Sequence, residues 1–359
     1  MGESILTVLL FAPLFLVVLL ANLADKHRLE GGTAKTIAGL TYAFHLVIFG
    51  IMAMVGATLH VIAILMETND NLQQNFLDLL SGGGTEATEG ILPVLDRLDV
   101  LGLGLWAPAA AAPLFLLPAV RKQLARLIRI DFRSSVHAIA VSFVMLVVIN
   151  LTFTLAIGLE TLADLSEASE PSIGSLLFSL WVQQILFAVW AMVGIGWLTR
   201  RKWGQALERL GLVVPSPAAI AVGIGTGLLS VGVIIVLEIV AQAVGWGLNE
   251  DVERLSESLI GPLLGSIPGI LTLGLAAGIG EETLFRGALQ PRFGLLFTSL
   301  LFAVVHSQYG ITLSTLAVFI VGLILGLLRM RFNTSTCVIA HASYNITLGM
   351  IAYLFPQAF

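Results

Sequence analysis

About ten apolar runs, parted by charged or Gly/Pro-rich breaks, divide this chain and constrain its fold more than any other feature. They cover residues 4–23, 37–66, 100–120, 136–159, 175–199, 217–243, 263–289, 293–308, 312–329 and 335–355. A hydrocarbon core about 30 Å thick takes roughly 20 residues of α-helix to cross. Within it the backbone must satisfy its own hydrogen bonds, which a helix does. Only 11% of the 359 residues are charged and 57% are hydrophobic, against about 25% charged in soluble domains. The mean hydropathy is +0.96. The expected fold is therefore all-α: a polytopic membrane protein with about ten transmembrane helices. Runs two and seven are long enough to tilt or to project. A single cysteine, Cys337, excludes an internal disulfide.

Lysine and arginine orient the spans. The first run, Ile5 to Leu23, has its positive charges after it (Lys26, Arg28, Lys35), the reverse of a cleaved signal peptide. It reads as a retained span with the N-terminus outside. On that topology 16 of the 18 basic residues fall on the inner side, and only Arg97 and Arg254 lie outside. The outer loops are acidic. Loop 67–99 carries Glu67, Asp70, Asp78, Glu86, Glu89, Asp96 and Asp99, with a mobile-looking Gly82-Gly83-Gly84. Loops 160–174 and 244–261 add Glu160, Asp164, Glu167, Glu170, Glu250, Asp251, Glu253 and Glu257. The expected location is a bacterial cytoplasmic membrane, with the lipid bilayer as the first partner and nothing that suits nucleic acid.

The chain divides into two regions. Residues 1–199 hold five spans with few ionisable groups and read as an accessory region. The piece from Arg200 to Leu212 is a short basic amphipathic segment suited to the inner interface, with Trp203 as an anchor. Residues 200–359 hold nearly all the unusual polar groups. Gly223, Gly225, Gly227 and Gly232 read as helix-packing positions rather than a phosphate loop. Glu238 stands alone in its span, and His45 and His60 read as packing or interfacial residues.

The sharpest local feature is Gly280-Glu281-Glu282-Thr283-Leu284-Phe285-Arg286-Gly287. A charge at the centre of a membrane helix costs roughly 2.5–3.5 kcal/mol even on lenient scales, so such residues pair or act. Glu282 and Arg286 are four apart, share a helical face, and can simply be a structural ion pair. Glu281 points about 100° away, which leaves it free to be a base or a ligand. His306 follows the run Phe302 to Val305, and His341 and Asn345 share a face of the last run. Each of these alone can be a packing or helix-joining residue. Counted from the inner surface at 1.5 Å per residue, however, Glu281, His306, His341 and Asn345 all fall about 10–21 Å deep. That convergence favours a site. A carboxylate beside apolar surface suits a general base for water, and a histidine can orient that water. A second histidine and an amide can donate to an oxyanion. Glu281, His306 and His341 can equally be drawn as ligands of a Zn²⁺ ion with an open position.

In their order, EExxxR at 281–286, FxxxH at 302–306 and HxxxN at 341–345, these motifs resemble those of the CPBP intramembrane proteases. That family includes the type 2 CAAX prenyl endopeptidases (Rce1-like) and the Abi proteins. The resemblance covers roughly residues 200–355 and extends to Leu207-Glu208-Arg209-Leu210-Gly211-Leu212, Gly322, Gly326 and Arg329-Met330-Arg331. It implies that Glu281 and His306 activate water and that His341 and Asn345 stabilise the oxyanion, with Glu282 and Arg286 in support. It leaves metal dependence open, since family members are described as both metallo and glutamate proteases.

The expected activity is hydrolysis of a peptide bond in a membrane-anchored peptide or protein, a prenylated C-terminal motif or a precursor peptide being the two candidates. Two other functions remain open: a non-proteolytic immunity or scaffold protein of the same fold, and a proton-coupled transporter using Glu238, Glu281 and the histidines. HExxH, GxSG and P-loop motifs are absent from the sequence.

Overall fold

The computed structural model describes residues 2–28, 30–69, 71–72, 74–75, 94–169, 172–246 and 249–355, and among them the regular structure is helical. Gly82, Gly83 and Gly84, and Asp70, Asp78, Glu86, Glu89 and Glu170, lie outside the described residues. The first region contains α1 (Gly2–Lys26), α2 (Gly32–Glu67), α3 (Leu98–Ala111, extended by a 3₁₀ turn to Leu116) and the short α4 (Pro118–Leu124). It continues with α5 (Ser135–Ser142), α6 (Val144–Ile157), α7 (Leu159–Ser169) and α8 (Ile173–Gly194). The second region contains α9 (Trp203–Leu210), α10 (Pro217–Ala243), α11 (Glu250–Leu264) and α12 (Ile267–Glu282). It ends with α13 (Gln290–Phe293), α14 (Leu295–Val305), α15 (Leu313–Arg331) and α16 (Thr334–Leu354).

Among the described residues eight helices are long and apolar enough to cross a membrane, and a ninth is added if α11 and the run Ile267–Phe293 form one bent span. That pair bends by 112°. At the bend Ser266 caps α12 by accepting from the Gly269 N–H, and Pro268 occupies the first turn, where its missing N–H costs nothing. Gly269 packs its bare Cα against the Leu263 carbonyl, an approach that no side chain allows.

The eighth run, 293–308, is a different object from a full span. α14 has 11 residues, about 16 Å of helix, which is half of a bilayer core. The chain turns after it, and α15 runs back antiparallel against it. Gly326 sits against Leu295, and Gly322 sits against Ser299 and Phe302. The hairpin enters and leaves at the same end of the bundle, so the segregation of Lys and Arg is unaffected by the missing crossing.

Two halves meet along α8. On one side it packs against α1, within a core that includes Val17, Ala21, Phe49, Ile139, Phe143 and Val193. On the other it packs along α12. His45 belongs to the first core: its Nε2 lies 2.9 Å from the Ser142 hydroxyl, which itself donates to the Ala112 carbonyl. Gly223 and Gly227 let α10 lie directly on α16, against Ile339 and the Ala340 carbonyl. Gly225 and Gly232 face open space, so only half of that glycine set serves packing. Outward faces are apolar, as a lipid-facing surface requires; Leu46, Val47, Ile51 and Met54 of α2 are all exposed.

The closest helix crossing in the first half joins α2 and α3. A Cβ on Gly56 would stand 2.5 Å from the Trp106 amide nitrogen, and one on Gly102 the same distance from that of His60. Gly56→Leu is therefore expected to destabilise the protein by about 1–3 kcal/mol through overpacking. Gly225→Leu, which meets nothing within 4 Å, should leave stability nearly unchanged. Thermal unfolding of the two variants in detergent checks this contrast.

Candidate active site

α12 carries Glu281 and Glu282 at its C-terminal end, and the next seven residues, Thr283–Leu289, wind as a π-helix. Such wide turns are rare and cluster at functional sites. Here the turn is stitched by arginines from outside it: Arg329 Nε donates to the Arg286 carbonyl at 3.3 Å, and Arg209 donates to the Gly287 carbonyl at 3.3 Å. The sequence pattern, read as an unbroken α-helix to 289, gave no sign of it.

Glu282 is fully buried. Its Oε2 lies 3.3 Å from Arg286 Nε, and its Oε1 lies 2.9 Å from His341 Nδ1. Arg286 is 1% exposed, so its charge stays inside the protein rather than reaching the surface. Instead its guanidinium donates to the Gly322 carbonyl at 3.2 Å and stacks over the Phe302 ring, with Cζ 4.3 Å from the centroid. The ion pair expected from the i, i+4 spacing is present, and it has a third member in His341.

Glu281 turns the other way, into a different environment. Its Oε1 accepts from Gln184 Nε2 at 3.1 Å, and its Oε2 lies 3.8 Å from His306 Nε2 with no hydrogen-bond partner. His306 caps the end of α14, and its Nδ1 lies 2.7 Å from the Phe302 carbonyl. A carbonyl only accepts, so that contact puts a proton on Nδ1, and in the neutral ring Nε2 then turns a lone pair toward Glu281. The Tyr309 ring stacks on His306 at 6.2 Å between centroids.

The break after α14 is closed by hydroxyls. Thr312 donates to the Tyr309 carbonyl and Thr315 to the Gly310 carbonyl, each at 2.7 Å. Asn150 and Thr154 of α6 donate to the Ser307 hydroxyl at 2.7 and 2.8 Å. The non-helical backbone needed to place His306 is thus satisfied inside the protein, the condition for irregular chain at membrane depth.

Of the six residues picked out by sequence, five meet around Phe302: Glu281, Glu282, Arg286, His306 and His341. Asn345 lies one turn beyond His341 on α16, half-buried, with no hydrogen bond to the others. Gln184 was not anticipated. It lies in the accessory region, in a span whose polar content is otherwise unremarkable, and the only trace of it in the sequence is Gly280. That glycine is buried against the Gln184 side chain and backbone, where any Cβ would collide. Glu238 makes no hydrogen bond or ion pair with the cluster. The candidate zinc ligands Glu281, His306 and His341 do not form a set able to hold a metal: among the described residues no three His, Cys, Asp or Glu are so placed. His341 commits its Nδ1 to Glu282 instead.

Fold and site define an integral, multi-pass membrane protein with a cluster of carboxylates, histidines and an arginine buried among its helices. Residues 263–347, which hold all six motif residues, match the family model for the type II CAAX prenyl endopeptidases, Rce1-like. This stretch is similar to the Rce1-like family at the level of that model. A protein of Escherichia coli described as an uncharacterized 24.3 kDa protein is 41% identical over 80 residues, covering 18% of this chain. The chain spans only 37% of that relative's length. No solved structure matches.

Removing Arg286 leaves Glu282 as an uncompensated buried charge. Arg286→Ala is expected to cost about 3–5 kcal/mol of stability, whereas Arg331→Ala, at an exposed helix end, should cost under about 0.5 kcal/mol. Denaturation of both variants in the same detergent reads the difference.

Proposed function

We propose that the protein is an intramembrane endopeptidase that hydrolyses a peptide bond of a membrane-anchored substrate with water activated by Glu281 and His306. One observation carries this reading: the buried Glu281 Oε2, free of any hydrogen-bond partner, faces the lone pair of His306 Nε2 at 3.8 Å. A separation beyond hydrogen-bond length between two acceptors suits a water that donates to both.

In the reaction, Glu281 takes a proton from that water as its oxygen forms a bond to the scissile carbonyl carbon. His306 holds the second hydrogen and so aims the oxygen. The carbonyl becomes an oxyanion, to which in this reading the Asn345 amide and His341 donate. Because Nδ1–H is given to Glu282, His341 donates to the oxyanion through Nε2–H in its imidazolium form. The C–N bond then breaks, and Glu281 returns the proton to the leaving amine. The Gln184 amide fixes the Glu281 carboxylate through Oε1, leaving Oε2 for water. Glu282 and Arg286 neutralise each other, so the cluster retains Glu281 as its working negative charge. No step runs through a metal.

In this reading residues 200–359 are the catalytic region and residues 1–199 are accessory, apart from the contribution of Gln184. Substrates are peptides or proteins held at the membrane by a lipid or a span. Prenylated C-terminal motifs and precursor peptides both satisfy that description. The intact cluster favours an enzyme over a scaffold, and the separation of Glu238 from it disfavours a proton relay.

Glu281→Gln keeps the shape of the side chain but removes the base. It should lower cleavage of a membrane-anchored peptide library by about 10²–10⁴-fold, the usual range for general-base catalysis, with the unfolding temperature preserved. Mass spectrometry of the new termini measures it. Full activity in that variant would eliminate the mechanism. Gln184→Ala should give a smaller loss in the same assay, because the base remains but is no longer held.

A further inference from the structure

Between the two halves, at the basic end of the bundle, lies a cavity of about 410 Å³, a volume within the range of small-molecule sites. Its mouth holds Arg28, Arg200, Arg201, Arg209 and Arg292, drawn from four separate segments, with Asp25 and Asp131 as its acids. Both acids are already engaged. Asp131 pairs with Arg28 at 2.6 Å, and Asp25 accepts from the Ser134 hydroxyl and the Ser135 N–H. The other four arginines have no carboxylate partner within ion-pair distance. Arg200 bonds Asn22, and Arg201 and Arg209 bond backbone carbonyls. Behind the mouth the walls turn apolar: Phe143, Val147, Phe187, Trp190, Leu284 and Val305 line a slot that ends beside the catalytic segment. None of Glu281, Glu282, His306 or His341 lines it.

We propose that this cavity is a lipid site: it holds an anionic phospholipid of the adjoining leaflet, with the phosphate on the arginines and one acyl chain in the slot. On the orientation read from the Lys and Arg skew the arginine surplus faces the inner interface, where lipid phosphodiesters lie, and arginine forks fit phosphate oxygens. Basic pockets between spans on the cytoplasmic side suit anionic headgroups in general. The cluster is also costly when empty of anions. Burial, and then Arg292, Arg201 and Arg329 close by, lower the Arg209 guanidinium to about 10. A resident lipid relieves that repulsion permanently, which a transient substrate does not. Because the slot is walled by α5, α6 and α8 on one side and by the π-turn and α14 on the other, a bound chain joins the accessory region to the Rce1-like stretch. The site stands whether or not the protease reading holds.

The test is native mass spectrometry, with thermal unfolding, of the whole protein from nanodiscs that mix phosphatidylglycerol and phosphatidylcholine. Wild type is expected to retain phosphatidylglycerol selectively and to unfold at a higher temperature with it. Arg292→Gln, which breaks no hydrogen bond of the fold, should cut that selectivity roughly five-fold, as expected for one arginine beside an anionic headgroup. Ala140→Phe, filling the slot wall, should abolish retention while unfolding as wild type does in phosphatidylcholine alone. Equal retention of the two lipids would overturn the proposal, as would selectivity that survives both substitutions. So would stabilisation by free glycerol phosphate as strong as by the lipid, which means an anion site without use of the slot. Displacement of the lipid by an equimolar lipidated peptide assigns the cavity to substrate and also overturns it.

Discussion

A carboxylate with no exposed surface, Glu282, sets the terms for the half of the bundle that holds the candidate site. Its two oxygens are divided between Arg286 and His341, and in a medium of low dielectric neither could be given up without a large penalty. Satisfying that one side chain fixes three elements against one another. Arg286 reaches from the π-turn to the Gly322 carbonyl on α15, and His341 brings α16 to the end of α12. Phe302 on α14 fills the space between, under the guanidinium and at the edge of both histidines. The pair is therefore better understood as a fixture for geometry than as a source of net stability. The neighbouring carboxylate, Glu281, pairs with no Lys or Arg among the described residues, and its Oε2 faces His306.

The second constraint comes from outside that half. Glu281 is held by Gln184 of α8, and the approach depends on Gly280 having no side chain. A glycine next to two glutamates looks at first like local flexibility in a helix end. It is instead the imprint of a neighbouring helix. The same helix, α8, provides a wall of the arginine-mouthed cavity. The five spans that appear accessory by composition thus touch the chemistry at one amide and border its underside.

What could be read from the sequence was what periodicity, charge and length control. Apolar runs of span length gave the helices, and the skew of Lys and Arg matched a bundle with one basic end, where Arg28, Arg200, Arg209 and Arg292 gather. The i, i+4 spacing of Glu282 and Arg286 gave their pairing, and equal depth on three runs brought the histidines to the carboxylates. What could not be read was whatever depends on a helix stopping early or winding differently. Run 293–308 is largely apolar as far as Val305, and the hydroxyls of Ser307, Thr312 and Thr315, unremarkable one by one, hydrogen-bond around the point where α14 ends. The π-turn has no compositional mark, because its carbonyls are satisfied by Arg209 and Arg329 from distant parts of the chain. Gln184 escaped for the same reason: the adjacent amides Gln183 and Gln184 in an apolar run become informative only once a partner is known.

The early end of α14 has a chemical consequence. Had the run continued as a helix through residue 308, His306 would sit among i→i−4 bonded carbonyls, and its Nδ1 would have no claim on the one at Phe302. Because the helix stops, the Phe302 carbonyl is free to accept from Nδ1 at 2.7 Å, and this sets the tautomer that turns a lone pair toward Glu281. A half-length helix at membrane depth is costly unless its end is satisfied. The protein satisfies this end partly with the histidine itself, so the structural solution to a broken span and the orientation of the His306 ring toward Glu281 are the same hydrogen bond.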